Sequence, residues 1–275
     1  MLPYPNINPV LVTLGTLEIR WYGLMYILAF TFGILLIKKF FGERKIYLSK
    51  DFLVNLLLAA LLGVLIGGRI GHVLTSYQSF YFANPLEIFK VWKGGMAFFG
   101  GVIGFVVAFY IFSRIEKISF YKIMDLIIPC IPLGIAFVRI GNFINGELYG
   151  KVTKSAICMY FPDDPGRCRY PSQLFEFLLE GVALFLILFF LRKKKMEPGI
   201  LTWLFAILYG IFRFIAEFFR EIAPDQTPIF GIFSLEQMLA AIMTIIGAGM
   251  IAFILIRKTN SDLPSQTPLP PVSSH

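Results

Sequence analysis

Seven apolar stretches, each long enough to cross a bilayer as a helix, constrain this chain more than any other feature. A hydrocarbon core about 30 Å thick takes roughly 20 helical residues. The stretches run over Trp21–Phe41, Phe52–Ser76, Gly95–Phe112, Ile123–Phe143, Gln173–Leu191, Gly199–Phe219 and Phe233–Ile256. Lipid offers the backbone no hydrogen-bond partners, so stretches of this kind satisfy their amides internally, as helices. Composition agrees, since 57% of the 275 residues are hydrophobic and 15% are charged, where soluble domains carry roughly 25% charged residues. The expected fold is therefore all-α: a polytopic membrane protein of seven transmembrane helices with a small external head segment.

Basic residues set the orientation. Lys38, Lys39, Arg44, Lys45 and Lys50 follow the first stretch; Arg114, Lys117 and Lys122 follow the third; Arg192 to Lys195 follow the fifth; Arg257 and Lys258 follow the last. These alternate loops lie on one side, which the positive-inside rule makes cytoplasmic. The N-terminus is then outside and the C-terminus inside. The net charge of +8 belongs to those loops, and nucleic acid is not an expected partner. The first twenty residues lack the basic start and apolar run of a cleavable signal peptide, so the first helix is expected to serve as the targeting signal. One transmembrane domain is expected over residues 1–257, with 144–172 as the external head. Residues 258–275, rich in Pro and Ser, read as a disordered cytoplasmic tail. Cys158 and Cys168 flank a short loop in the head. A disulfide and two free thiols are both open readings.

Charged side chains inside apolar stretches mark the functional candidates. Each costs roughly 2.5–3.5 kcal/mol at the centre of a spanning helix and is kept where something uses it. Arg213, Glu217 and Arg220 recur at i, i+4 and i+7, on one helix face. Arg139 and Asn142 share a face in Arg139-Ile-Gly-Asn-Phe-Ile-Asn-Gly-Glu-Leu-Tyr-Gly150, after which glycines end the helix and set Asn145 and Glu147 at a membrane surface. Guanidinium binds phosphate through parallel hydrogen bonds and stays charged. Two intramembrane arginines therefore point to a buried anion, and phospholipid phosphate is the commonest anion there. An Arg–Glu pair that only tethers helices is the bland alternative. Gly67-Gly-Arg69-Ile-Gly-His72 combines close helix approach with a histidine able to titrate near neutrality. Trp92-Lys-Gly-Gly-Met-Ala-Phe-Phe99-Gly-Gly101 reads as a tight entry into the third helix. Gln173, Glu176 and Glu180 share one inward face. Arg20-Trp-Tyr22-Gly-Leu-Met-Tyr26 brings phenols to the outer interface. Neither histidine has companions at metal-ligand spacing, so no metal and no cofactor are expected.

Taken in order from Pro9 to Ile256, these motifs resemble the prolipoprotein diacylglyceryl transferase family. The resemblance implies a seven-helix bundle with an external head in the bacterial cytoplasmic (inner) membrane. It implies transfer of the diacylglyceryl group of phosphatidylglycerol to the lipobox cysteine thiol of a preprolipoprotein signal peptide, with a thioether formed and glycerol phosphate released. Arg139 and Arg213 match the family's phosphate-handling arginines. Tyr22, Asn142 and Gly150 match positions on which the family depends, and Glu147, Glu217 and Arg220 match its supporting polar network. Arg69 and Asn145 join these as expected substrate-binding residues. Phe99 and Tyr170 stand where the family commonly has histidine, and His72 is the candidate replacement for the missing base. The competing readings are a non-catalytic lipid- or lipoprotein-binding paralogue and a small-anion transporter. No internal repeat of the kind that marks many transporters is evident.

Overall fold

The computed structural model describes residues 2–15, 17–46, 48–75, 78–91, 94–221 and 232–262. The seven expected spans are all helical. They are α1 (Trp21–Glu43), α2 (Lys50–Thr75), a short α3 (Gln78–Ala83) outside the spans, α4 (Phe98–Ile115), α5 (Phe120–Ile127) continued through a 3-10 turn into α6 (Ile131–Asn145), α7 (Ser172–Glu176) continued through a π-helical turn (Phe177–Ala183) into α8 (Leu184–Leu191), α9 (Ile200–Glu217) and α10 (Leu235–Asp262). Six of these spans are long and apolar enough to cross a membrane, and α4 is a shorter apolar helix. α4 starts three residues later than its apolar run because Gly94 and Gly95 adopt φ of +82° and +80°, a left-handed backbone that no helix continues through.

Two features lay outside the expected layout. A hairpin precedes α1, with β1 (Val10–Leu14) paired antiparallel to β2 (Leu17–Arg20). The head is built on a second hairpin, β3 (Met159–Phe161) with β4 (Asp164–Arg169). A disordered tail is expected from residue 258; α10 stays helical to Asp262, and residues 263–275 lie outside the described residues.

The chain divides into two compact units, residues 30–131 and residues 1–29 with 132–275. In the first, α2 and α4 meet along a glycine seam. A Cβ on Gly67 would stand 2.6 Å from the Gly104 Cα, and one on Gly71 would stand 2.8 Å from the Gly100 Cα. Backbones that close exclude any side chain, and such small-residue contacts drive helix association in lipid. Phe41, Phe52 and Phe112 close the same unit, with ring centroids 5.9 and 5.2 Å apart in sequence order.

The second unit holds the head and the remaining helices. A Cβ on Gly210 of α9 would lie 2.6 Å from the Ala240 carbonyl oxygen of α10. One on Gly181 would lie 2.7 Å from the Ala136 Cβ, so the π-helical turn runs hard against α6. The head is covalently closed by a Cys158–Cys168 disulfide, which resolves the two readings of those thiols. The chain's first residues join it. Leu2 N–H donates to the Cys158 carbonyl at 3.0 Å, and the Tyr4 hydroxyl donates to the carbonyls of Phe143 and Ile144. Burial, reinforced by the negative charge of Asp163, holds the Tyr4 phenol above its ordinary range.

Candidate active site

The local backbone explains how α6 presents its polar end. Arg139 and Asn142 lie one turn apart on the helix, which stops at Asn145 because Gly146 and Leu148 take φ of +70° and +57°. The reversed chain brings Glu147 back, and its N–H donates to the Asn142 carbonyl at 3.1 Å. Its carboxylate Oε1 then accepts from Asn142 Nδ2 at 2.7 Å and from Asn145 Nδ2 at 3.3 Å. Gln173 Nε2 donates to the Glu147 carbonyl at 2.6 Å.

Beside this turn lies an ion-pair network drawn from three spans. Arg139 Nε is 2.5 Å from Glu176 Oε2, and its Nη2 is 3.6 Å from Glu180 Oε2. Arg213 Nη1 lies 3.5 Å from Glu176 Oε1 and 3.4 Å from Glu180 Oε1, while its Nη2 pairs with Glu217 at 2.9 Å. Arg220 Nη1 reaches the same Glu176 Oε1 at 3.2 Å. Two arginines from separate helices thus share one pair of carboxylates. Three guanidinium groups face three carboxylates, so the network is formally neutral. Its layering is uneven, since the glutamates are 0–4% exposed and the arginines 11–21%. The carboxylates form a buried floor, and the guanidinium groups lie above it, partly exposed. Breaking one member of a buried pair costs about 3–5 kcal/mol, because its partner is left charged and unmatched. The network is therefore a rigid support for the arginines as well as a tether.

Tyr22 packs on the same helix. A Cβ on Gly141 would stand 2.8 Å from the Tyr22 ring. Its hydroxyl lies 3.3 Å from that of Tyr26, and Tyr26 is within electrostatic reach of Arg139 and Glu147. Gly150 is a crossing point. Any Cβ there would strike the Phe219 carbonyl oxygen, its N–H donates to the Tyr170 carbonyl at 2.8 Å, and Lys151 N–H donates to Phe219 at 3.0 Å. The head strand is thereby laced to the end of α9, one residue from Arg220. Arg169, 2% exposed, reinforces the junction. It pairs with Asp164 and Glu221, donates to the Gly150 carbonyl at 3.1 Å and stacks 4.8 Å above the Tyr149 ring. Hydrogen bonding from Arg167 and then Arg169 holds the Asp164 carboxyl below its usual range.

The remaining expected site residues, Arg69 and His72, lie in the other unit. Arg69 donates Nε to the Ile88 carbonyl at 2.7 Å, Nη1 to Gly94 at 2.6 Å and Gly95 at 3.1 Å, and Nη2 to Glu87 at 2.6 Å and Lys90 at 3.5 Å. All its donor nitrogens bind backbone, so Arg69 folds the segment between α3 and α4 and has no face left for a headgroup. His72 stands edge-on to Tyr81 at 5.9 Å, and a Cβ on Gly95 would lie 2.5 Å from its Nε2. The residues that sequence reasoning underweighted are Glu176, Glu180 and Gln173. The signal was available, since carboxylates at i and i+4 in an apolar span incur the same insertion cost that singled out the arginines. Arg169 carried no such signal, because it lies in a polar loop.

A profile of the prolipoprotein diacylglyceryl transferase family matches residues 9–253. The chain is 41% identical over 257 residues to the phosphatidylglycerol–prolipoprotein diacylglyceryl transferase of Geobacter sulfurreducens, covering 94% of this chain and 99% of that protein. It is 43% identical to the protein of the same name from Dechloromonas aromatica, covering 94% of this chain and 100% of the relative, and 43% identical to that from Pseudomonas fluorescens, covering 91% and 94%. Matched from β1 into α10, with the arginine network inside the matched range, the chain belongs to the prolipoprotein diacylglyceryl transferase family.

Proposed function

We propose that this protein transfers the diacylglyceryl group of phosphatidylglycerol to the lipobox cysteine of a preprolipoprotein, the first step of bacterial lipoprotein maturation. The carrying observation is that Arg139 and Arg213, from separate spans, converge on Glu176 and Glu180 and stay partly exposed above them. In the reaction the cysteine sulfur attacks the diacylglyceryl carbon, the carbon–oxygen bond to phosphate breaks, and a thioether forms. Glycerol phosphate leaves with the bonding electrons, and the thiol proton passes through a base to solvent. Charge grows on the phosphate oxygen as that bond breaks. Fixed guanidinium groups aimed at it in a dry site lower the barrier, which is commonly the largest catalytic contribution. The carboxylate floor offsets the arginines' mutual repulsion, so that they can stand together beneath a bound anion.

Ionising a thiol of pKa about 8.5 at pH 7 costs roughly 2 kcal/mol, and cysteine is nucleophilic even at low thiolate fractions. The arginines therefore contribute more to the rate than a base does. His72 is kept as the candidate base, with Tyr22, Asn142, Asn145, Glu147, Gly150, Glu217 and Arg220 shaping the site. Arg69 is given a structural role. No metal takes part, and inhibition by EDTA would contradict that. The protein is placed in the cytoplasmic membrane with its N-terminus and disulfide-closed head outside, a compartment in which disulfides persist. Residues 1–257 form the catalytic domain.

The test is mass spectrometry of a lipobox peptide incubated with the purified protein and phosphatidylglycerol vesicles. Gain of one diacylglyceryl unit on the cysteine is expected. Peptide binding without mass gain would favour a non-catalytic paralogue. Wild-type rates in Arg139→Ala and Arg213→Ala would end the proposal.

A further inference from the structure

Three amide oxygens beside the arginine network lack hydrogen-bond partners among the described residues: Asn142 Oδ1, Asn145 Oδ1 and Gln173 Oε1. Asn142 and Gln173 are 2% and 1% exposed, so water at the protein surface does not serve them. A buried acceptor left unpaired is costly, and native proteins keep few of them. Amide groups are often reversible in assignment, but here the orientations are determined. Asn142 Nδ2 and Asn145 Nδ2 both donate to Glu147 Oε1, and Gln173 Nε2 donates to the Glu147 carbonyl. Flipping any of the three would set oxygen against oxygen. Glu147 thus gathers the nitrogen end of each amide and leaves three neutral acceptors unpaired around one turn.

We infer that Asn142, Asn145 and Gln173 form a hydroxyl-reading subsite that takes the free glycerol end of the phosphatidylglycerol headgroup. This inference rests on the transferase reading above. Acceptors repel phosphate oxygens, so the anionic part of the headgroup belongs over Arg139, Arg213 and Arg220, and the donor-bearing part belongs at the amides. A diol supplies two O–H donors without charge. An ammonium group also donates, but it would be stripped of water and set beside three guanidinium groups. A choline headgroup has no N–H at all. The subsite would therefore select the lipid and hold glycerol phosphate as it departs, with Gln173 as a specificity-determining residue.

The experiment pairs two protein variants with three lipids. Purified full-length protein and a lipobox peptide are given vesicles of phosphatidylglycerol, of phosphatidylpropanol (same phosphate, no free hydroxyls) or of phosphatidylethanolamine. The wild type is expected to use phosphatidylglycerol at least about tenfold better in kcat/KM than either alternative. Gln173→Met is expected to lose about that factor on phosphatidylglycerol, chiefly through KM, while its rate on phosphatidylpropanol stays within about twofold. Gln173→Leu should do the same, and it serves if Gln173→Met fails to fold. A merely structural role would slow both lipids alike, and that result would overturn the inference. So would equal wild-type use of phosphatidylethanolamine, or no headgroup preference at all. If no lipid is transferred, the transferase reading falls. The subsite is then judged by displacement of fluorescent phosphatidylglycerol with the same lipids. Retention of the preference in the wild type and its loss in Gln173→Met would support the subsite, and absence of a preference would overturn it.

Discussion

Arg139 and Arg213 show how much one side chain can specify when it is charged and surrounded by lipid. Replacing Arg139 by Lys keeps the charge but loses the planar fork that reaches Glu176 and Glu180 together. Transferase activity is expected to fall on the order of 10²–10³-fold, as measured by mass gain on a lipobox peptide, with the fold retained. Replacing Glu180 by Ala removes a carboxylate that faces both arginines. Unfolding in detergent should then shift by about 3–5 kcal/mol, and an unchanged midpoint would mean that solvent already screens the pair. For His72 the expectation is a loss of rate in His72→Phe that deepens toward pH 6, where a base is most needed. A full rate from pH 6 to 8 would remove His72 from the mechanism. These residues were legible from sequence because an isolated charge in an apolar run stands out. Arg69 stood out equally, yet its five carbonyl contacts come from a segment about 20 residues further along, which no spacing rule connects to it.

Among the elements, the α2–α4 pair depends on glycine for a reason that is purely steric. Gly67 and Gly104 leave no room for a Cβ between backbones, so Gly67→Val should separate the helices and raise protease sensitivity in residues 50–115. An Ala at Gly249, where nothing lies within 4 Å of the added carbon, should be silent. The head hairpin has its own pH dependence. Asp164 is held below the ordinary carboxylate range by Arg167 and Arg169. Its contribution is therefore complete above about pH 4 and is lost as the solution becomes more acid than that. Amide protection in β3 and β4 should be flat from pH 7 to about 5 and fall below about pH 4. The apolar spans were readable because lipid forces helices on any run of that length. The π-helical turn and the two hairpins were not, since each depends on what packs beside it. Gly181 against Ala136 and the Cys158–Cys168 bridge are contacts, not local preferences.

At the level of the molecule, the head is a clasp over the end of α9, with Gly150 and Arg169 joining it to Phe219 and Glu221. A Cys158→Ser, Cys168→Ser double variant opens a short loop whose closure contributes about 3 kcal/mol in the chain-entropy account. Activity in a reductant series should fall with bridge loss if the clasp sets Arg220, and stay level if the head is an independent cap. Single cysteines placed near residues 6 and 194 should be labelled by a membrane-impermeant maleimide from outside and inside respectively, and the reverse result would invert the topology. Membrane class and the helical apolar spans follow from the sequence by itself, because burial in lipid is a solvation problem solved one segment at a time. Only the tertiary structure decided that Arg139 and Arg213 rest on Glu176 and Glu180, that Arg69 spends its donors on backbone carbonyls, and that Asn142, Asn145 and Gln173 keep their oxygens free. Those outcomes depend on which spans are neighbours and how deeply each charge is covered, and a linear pattern does not encode either.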